Sequence, residues 1–165
     1  MAVSTEQGRV STGLQGLDRL FTRLIPGDNV VWQVVGVSDY APFAQAFAAA
    51  RAAHGRKVVY LRFAKHAPLL EPREGIEICE VQQDEGFERF VVDILATVQR
   101  YDSDTVYIFD ILSELAVDWY SDRMLGNFFM LVCPRVYRKG AFAYFALMRN
   151  QHSFHATIPI TETTQ

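Results

Sequence analysis

The chain has 165 residues, of which half are apolar and 13% aromatic, and carries a net charge of −3. That length suits one domain with a real core, and the composition argues for a compact globular fold over disorder. No run of lysines or arginines is present, so nucleic acid is an unlikely partner on charge grounds.

Residues 1–10 are polar, include Glu6 and Arg9, and read as a flexible lead without a secretory leader pattern. Residues 11–165 read as a single domain. The longest apolar window, Met124 to Cys133, contains Asn127. It falls short of the ~20 residues that a membrane span needs. The two cysteines, Cys79 and Cys133, lie far apart without metal spacing, as expected of buried free thiols in a reducing compartment. A cytoplasmic location is the expectation.

In STGLQGLDRLF, Leu14, Leu17, Leu20 and Phe21 recur at helical spacing, with Pro26-Gly27 as the stop. Asn29 to Val35 is nearly all apolar, as in a parallel strand covered on both faces. A helix is predicted from about Tyr40 to His54, with Tyr40, Phe43, Ala44 and Phe47 on one face. Pro42 falls in its first turn, and Gly55 caps its end.

KVVYLRFA is the second strand, followed by a proline-rich loop (Pro68, Pro72) and a short strand from Ile76 to Val81. Asp84 is expected to cap an amphipathic helix whose stripe is Phe87, Phe90, Val91, Ile94, Leu95 and Val98. TVYIFD is the next strand, ending at Asp110. Asp118 to Asp122 reads as an acidic, aromatic loop, and Ser121 or Asp122 as the cap of an apolar helix that Pro134 kinks or closes. AFAYFALM is a further buried strand. Residues 156–165 alternate apolar and polar and are expected to begin an edge strand.

Strands alternating with helices predict an α/β fold, a mostly parallel sheet flanked by helices on both faces. Ligands of such sheets sit off the carboxyl ends of the strands. Reading those ends together collects Ser38, Asp39 and Tyr40, then Arg62, Lys65 and His66, then Asp110, then Arg149, Asn150 and His152.

The first strand turns sharply into its helix, the arrangement that holds phosphate in P-loop proteins. Laid on this turn, the pattern GxxxxGK[ST] falls with its key positions at Val34, Asp39, Tyr40 and Ala41. Both glycines, the lysine and the magnesium hydroxyl are missing, and only Gly36 survives inside the loop. Asp39 also places a negative charge at the helix N-terminus, where a phosphate would meet repulsion.

The order of signals resembles the KaiC/RecA-like ATPase superfamily over about residues 11–150. STGLQGLDRL followed by PGDNVVWQV looks like the segment that precedes the P-loop strand in KaiC-type domains. TVYIFDILSEL looks like their Walker B strand, with Asp110 at the magnesium position and Ser113 in the following turn. That resemblance implies a RecA/KaiC-like three-layer αβα sheet and, in active members, ATP with magnesium. The glutamate pair expected after strand two reads Phe63-Ala64-Lys65 here, so the catalytic base is absent too. Losing even one charge-stabilising donor costs about 3–4 kcal/mol of barrier, so ATP turnover is disfavoured and no catalytic residue is assigned.

The strings PGDNVVWQV, LRFAKHAPLL, LAVDWYSDRMLGNFFMLVCP and LMRNQHSFHATIPITETTQ resemble more closely the N-terminal, KaiC-like region of bacterial proteins related to phosphoenolpyruvate synthase and pyruvate phosphate dikinase. The resemblance implies a phosphoenolpyruvate synthase-like phosphotransfer system, and with turnover lost the expected role is a docking or regulatory module completed by a protein partner, further C-terminal domains or a second copy. A fragment of a larger enzyme and a naturally separate module both stay open.

For Asp110 a weak magnesium role competes with a loop-bracing one. The cations Arg62, Lys65, His66, Arg149 and His152 form either a basic rim for a nucleotide or phosphorylated metabolite, or internal pairs of Arg62 and Arg149 with Asp39 and Asp110. His152 and His155 lack a third ligand for zinc. Trp119, Tyr120 and Arg123 make up a candidate interaction loop, with coverage of the underlying helix as the alternative.

Overall fold

The computed structural model describes residues 10–21, 24–119 and 121–164. Its elements in chain order are α1 (Gln15–Leu20), β1 (Asn29–Val34), α2 (Val37–Ala53), β2 (Val58–Arg62) and β3 (Ile76–Glu80). Next come α3 (Phe87–Arg100), β4 (Val106–Ile111), α4 (Ser113–Asp118), α5 (Arg123–Lys139), β5 (Phe142–Met148) and α6 (Phe154–Thr163). The five strands pair in parallel in the order β1-β5-β4-β2-β3.

Alternate residues of each strand feed two cores, one on each face of the sheet. On one face Tyr107, Phe109 and Phe145 meet α3 and α5 through Phe90, Ile94, Phe128, Phe129 and Val132. On the other, Tyr60, Ile108 and Tyr144 meet α2 through Tyr40, Ala44 and Phe47. Phe109 stacks on Phe145 at 4.4 Å, and Phe47 on Tyr144 at 4.1 Å. Each such ring buried from water contributes about 1.5–3 kcal/mol. The expected three-layer α/β architecture is therefore present.

The β4–β5 ladder is irregular. Ile108 pairs with Tyr144 and Ile111 with Ala146, so Phe109 and Asp110 together stand opposite Phe145. This is a β-bulge with one extra residue on β4, a feature that re-aims a side chain at a strand end.

Several expectations need correction. Residues 154–163 are helix, not the start of an edge strand. The Ser153 side chain accepts from the Ala156 amide at 3.3 Å, and Ala156 and Ile160 bury themselves one turn apart. Gly126 of α5 permits this docking, since a Cβ there would lie 3.1 Å from the Ala156 carbonyl oxygen. Asp84 does not cap α3, which instead begins after Gly86 in a left-handed conformation (φ 93°) with no side-chain cap. Residues 113–118 form a short helix that the periodicity did not announce. Neither Ser121 nor Asp122 caps α5 through its side chain; Asp122 Oδ2 accepts from the Ser153 amide at 2.6 Å instead. Pro134 does not close α5, which continues to Gly140 (φ 67°).

The leucine stripe of α1 is not core either, for no residue of α1 is buried and Leu20 is exposed. What fixes this segment is Asp18, whose carboxylate accepts from Ser11 Oγ at 2.6 Å and from both Thr12 N and Thr12 Oγ1 at 2.7 Å. Gly13 (φ 80°) lies so close to α2 that an added Cβ would sit 2.4 Å from the Ala46 carbonyl oxygen.

Candidate functional site

The turn from β1 into α2 is closed by its own side chain. Asp39 Oδ2 accepts from the Val35 and Gly36 amides, each at 3.2 Å. These are the donors that a phosphate would need, and an internal carboxylate already occupies them. Ser38 and Asp39 are exposed, but Tyr40 is not. Its position on the buried face of α2 with Ala44 and Phe47 sends the ring into the core, which removes it from the candidate ligand site. Burial, with the Tyr144, Asp110 and Tyr60 charges next, holds its phenol well above the ordinary value. The residues at this turn do not fit a triphosphate.

Asp110, the extra residue of the bulge, is fully buried. Its Oδ2 accepts from the Phe63 and Ala64 amides, each at 2.9 Å, and its Oδ1 accepts a short hydrogen bond from the Tyr60 hydroxyl. Tyr60 Oη in turn accepts from the Leu69 amide at 3.1 Å. Burial and the adjacent Asp110 carboxylate push the Tyr60 phenol well above its usual range. These bonds tie the end of β4 to the loop after β2. The carboxylate oxygens are spent on the chain itself, which leaves Asp110 unsuited to hold magnesium. Among the described residues no group of three or more His, Cys, Asp or Glu stands at metal-holding spacing.

The cations divide into two sets. Arg62 Nη1 lies 4.0 Å from Asp110 and its Nε 3.5 Å from Glu80, while Nη2 donates to the His66 carbonyl at 3.0 Å. His66 Nδ1 donates to the Ala67 carbonyl at 2.7 Å, which turns Nε2 to within 3.5 Å of Asp110. These two side chains are thus folded inward around the buried acid. Lys65 and Arg149 are exposed, and neither takes part in an ion pair among the described residues. The expected pairing of Arg149 with Asp39 or Asp110 is absent, because Asp39 is satisfied by its own turn and Asp110 by Tyr60, Phe63 and Ala64. The Arg149 backbone amide instead donates to the Val34 carbonyl at 2.7 Å, closing the β1–β5 ladder. Asn150 turns the chain with φ 61° and is exposed.

His152 sits apart from that group. Its Nε2 is 2.6 Å from Ser113 Oγ, to which the Met148 amide also donates at 2.7 Å. Burial lowers the imidazole pKa, while the Asp122 carboxylate pulls it the other way. Ser113 and Tyr60 are the partners that the list of strand-end residues missed. No signal in the chain pointed to Tyr60, which reaches Asp110 through the β2–β4 register that sets it beside Ile108, on the same side of the sheet as the residue two places on.

Trp119 packs edge-on against Phe87 at 5.0 Å and Phe90 at 5.4 Å, covering the start of α3. Arg123 is exposed, and Tyr120 lies outside the described residues. Cys133 is buried, which pushes its thiol up to about 12, and Cys79 is half-buried. No helix among the described residues is long and apolar enough to cross a membrane. A scan against protein-family models finds no match, and a search of curated proteins finds none either.

Proposed function

We propose that this chain is a KaiC/RecA-like domain that has lost nucleotide turnover and acts as a docking or regulatory module, in a phosphoenolpyruvate synthase-like phosphotransfer setting in the cytoplasm. The observation that carries the reading is the internal saturation of Asp110 by Tyr60, Phe63 and Ala64. An acid committed to its own fold has no oxygen to lend to a metal, and Asp39 fills the phosphate cradle in the same way. The role as a module draws support from exposed apolar side chains, namely Met130, Leu131 and Tyr137 on α5 and Phe154 on α6. It also draws on β1, an outer strand of the sheet whose sequence NVVWQV carries no charge. The opposite outer strand, β3, is guarded by Glu77 and Glu80.

A second reading rests on Lys65 and Arg149, two exposed cations at strand ends without ion-pair partners among the described residues. They would receive a nucleotide or small phosphorylated metabolite without hydrolysing it. Thermal unfolding with ATP, ADP, AMP, phosphoenolpyruvate and pyruvate separates the two. A ligand at about 100 times its dissociation constant adds ~2.7 kcal/mol, a rise of roughly 5–10 °C at this chain length. The docking reading expects no shift with any of them. Magnesium-dependent ATP hydrolysis that disappears in Asp110→Ala would overturn it.

A further inference from the structure

The carboxyl ends of β4 and β5 bring together two side chains that neither the closed turn nor the Asp110 cluster uses. Ser113 opens α4 two residues after the end of β4, and His152 follows β5 beyond the turn at Asn150. The contact between Ser113 Oγ and His152 Nε2 is 2.6 Å. The Met148 amide donates to Ser113 Oγ at 2.7 Å, which leaves the hydroxyl hydrogen available to Nε2 when the ring carries its proton on Nδ1. That tautomer, the one a general base at Nε2 requires, puts the proton on Nδ1, which is buried without a hydrogen-bond partner among the described residues. Asp122 is the charged group acting on this ring, and its own carboxylate is pinned by the Ser153 amide. Ser113, His152, Asp122, Ser121 and Gln151 line a cavity of about 470 Å³. It is a shallow hollow open to solvent, so a small compound reaches it directly.

We propose that Ser113 and His152 form a nucleophile–base pair that accepts a small activated acyl compound, an ester or thioester, from this cavity. Ser113 Oγ forms a bond to the carbonyl carbon as its proton passes to His152 Nε2. The tetrahedral adduct then collapses, the bond to the leaving oxygen or sulfur breaks, and His152 returns the proton to the departing alcohol or thiol. Water repeats the sequence on the acyl-serine, giving its proton to His152 and releasing the carboxylic acid as Ser113 recovers its hydrogen. Burial keeps the imidazole neutral and able to take a proton near pH 7, and the Asp122 charge favours the imidazolium once it forms. Asp122 thus acts on the ring through its charge and not through a hydrogen bond. Ser113 is only 5% exposed, so the site selects slim acyl groups over bulky ones.

The test treats the full chain with p-nitrophenyl acetate and with a small alkyl fluorophosphonate, following nitrophenolate release and mapping the adduct by mass spectrometry. The expected result is a single adduct on Ser113, with a rate rising sigmoidally with pH about a midpoint below the ordinary histidine value. His152→Gln should slow labelling by about 100-fold or more, and Asp122→Asn should move the midpoint downward. Ser113→Ala strands the Met148 amide, so Ser113→Cys is made alongside it. With circular dichroism confirming the fold, Ser113→Cys should carry the acetyl group on sulfur. A folded wild-type chain with no adduct on Ser113, adducts only on surface lysines, or labelling indifferent to His152→Gln would each overturn the proposal.

Discussion

Two aspartates stand near the carboxyl ends of strands in this sheet, and they carry different loads. Asp39 is exposed and closes a turn of its own segment through the Val35 and Gly36 amides. Asp110 is wholly buried and binds two amides and a hydroxyl contributed by β2 and the loop that follows it. The first is a local cap, replaceable in part by water. The second is a tertiary joint in a place where no water can substitute. Residue type and strand-end position are the same; burial and sequence separation decide what each is worth.

Substitutions can break this contrast, and the largest effect belongs to Asp110. Asp110→Ala orphans the Tyr60 hydroxyl and the Phe63 and Ala64 amides and uncovers Arg62. It should cost about 3–5 kcal/mol in urea unfolding, and a loss below about 1 kcal/mol would place the two acids on one footing. Tyr60→Phe removes one donor to the buried acid and the acceptor of the Leu69 amide. A loss of about 2 kcal/mol is expected, measured the same way. Asp39→Ala should cost only about 1 kcal/mol, with faster amide exchange confined to Val35 and Gly36.

The smallest effect comes from the third strand-end contact, Ser113–His152. With its folded pKa below the ordinary value, His152 binds fewer protons than in the unfolded chain over the window between the two values. Stability therefore rises with pH through that window and falls as the solution is acidified from about pH 8 to about pH 5. His152→Gln should flatten that part of the profile in urea midpoints taken across the range.

Much of the architecture was legible because it rests on period. The apolar runs at 29–35 and 141–148 and the stripe from Phe87 to Val98 each announce what they bury, and the parallel three-layer arrangement follows from their alternation. Alternation misled at 156–165, where the deciding features are a local cap by Ser153 and a tertiary one, the close approach to Gly126. The site was legible only by position. That Asp39 and Asp110 lie at strand ends could be read from the chain. That Tyr40 turns inward, or that Tyr60 supplies the proton donor to Asp110, depends on helix rotation and strand register, which no single segment encodes. The segment STGLQGLD has a packing reason of its own, through the Asp18 bonds and the Gly13 approach to α2.

The doubled residue opposite Phe145 has a bearing on which insertions and deletions this chain tolerates. Because two residues of β4 share one position of β5, Ile111 falls on the side of Ile108 and Leu112 on the side of Phe109, serving the α2 core and the α3–α5 core respectively. Deleting one of the doubled pair would therefore leave Ile111 opposite Ala146 in an unbroken ladder, whereas adding one residue would rotate the take-off of α4 by half a strand repeat. The insertion would carry Ser113 away from His152, and deletion of Asp110 would strip the Phe63 and Ala64 amides of their acceptor. A length change of one residue at this spot should be more damaging than a longer one in the loop between β2 and β3, where no ladder has to be kept in phase.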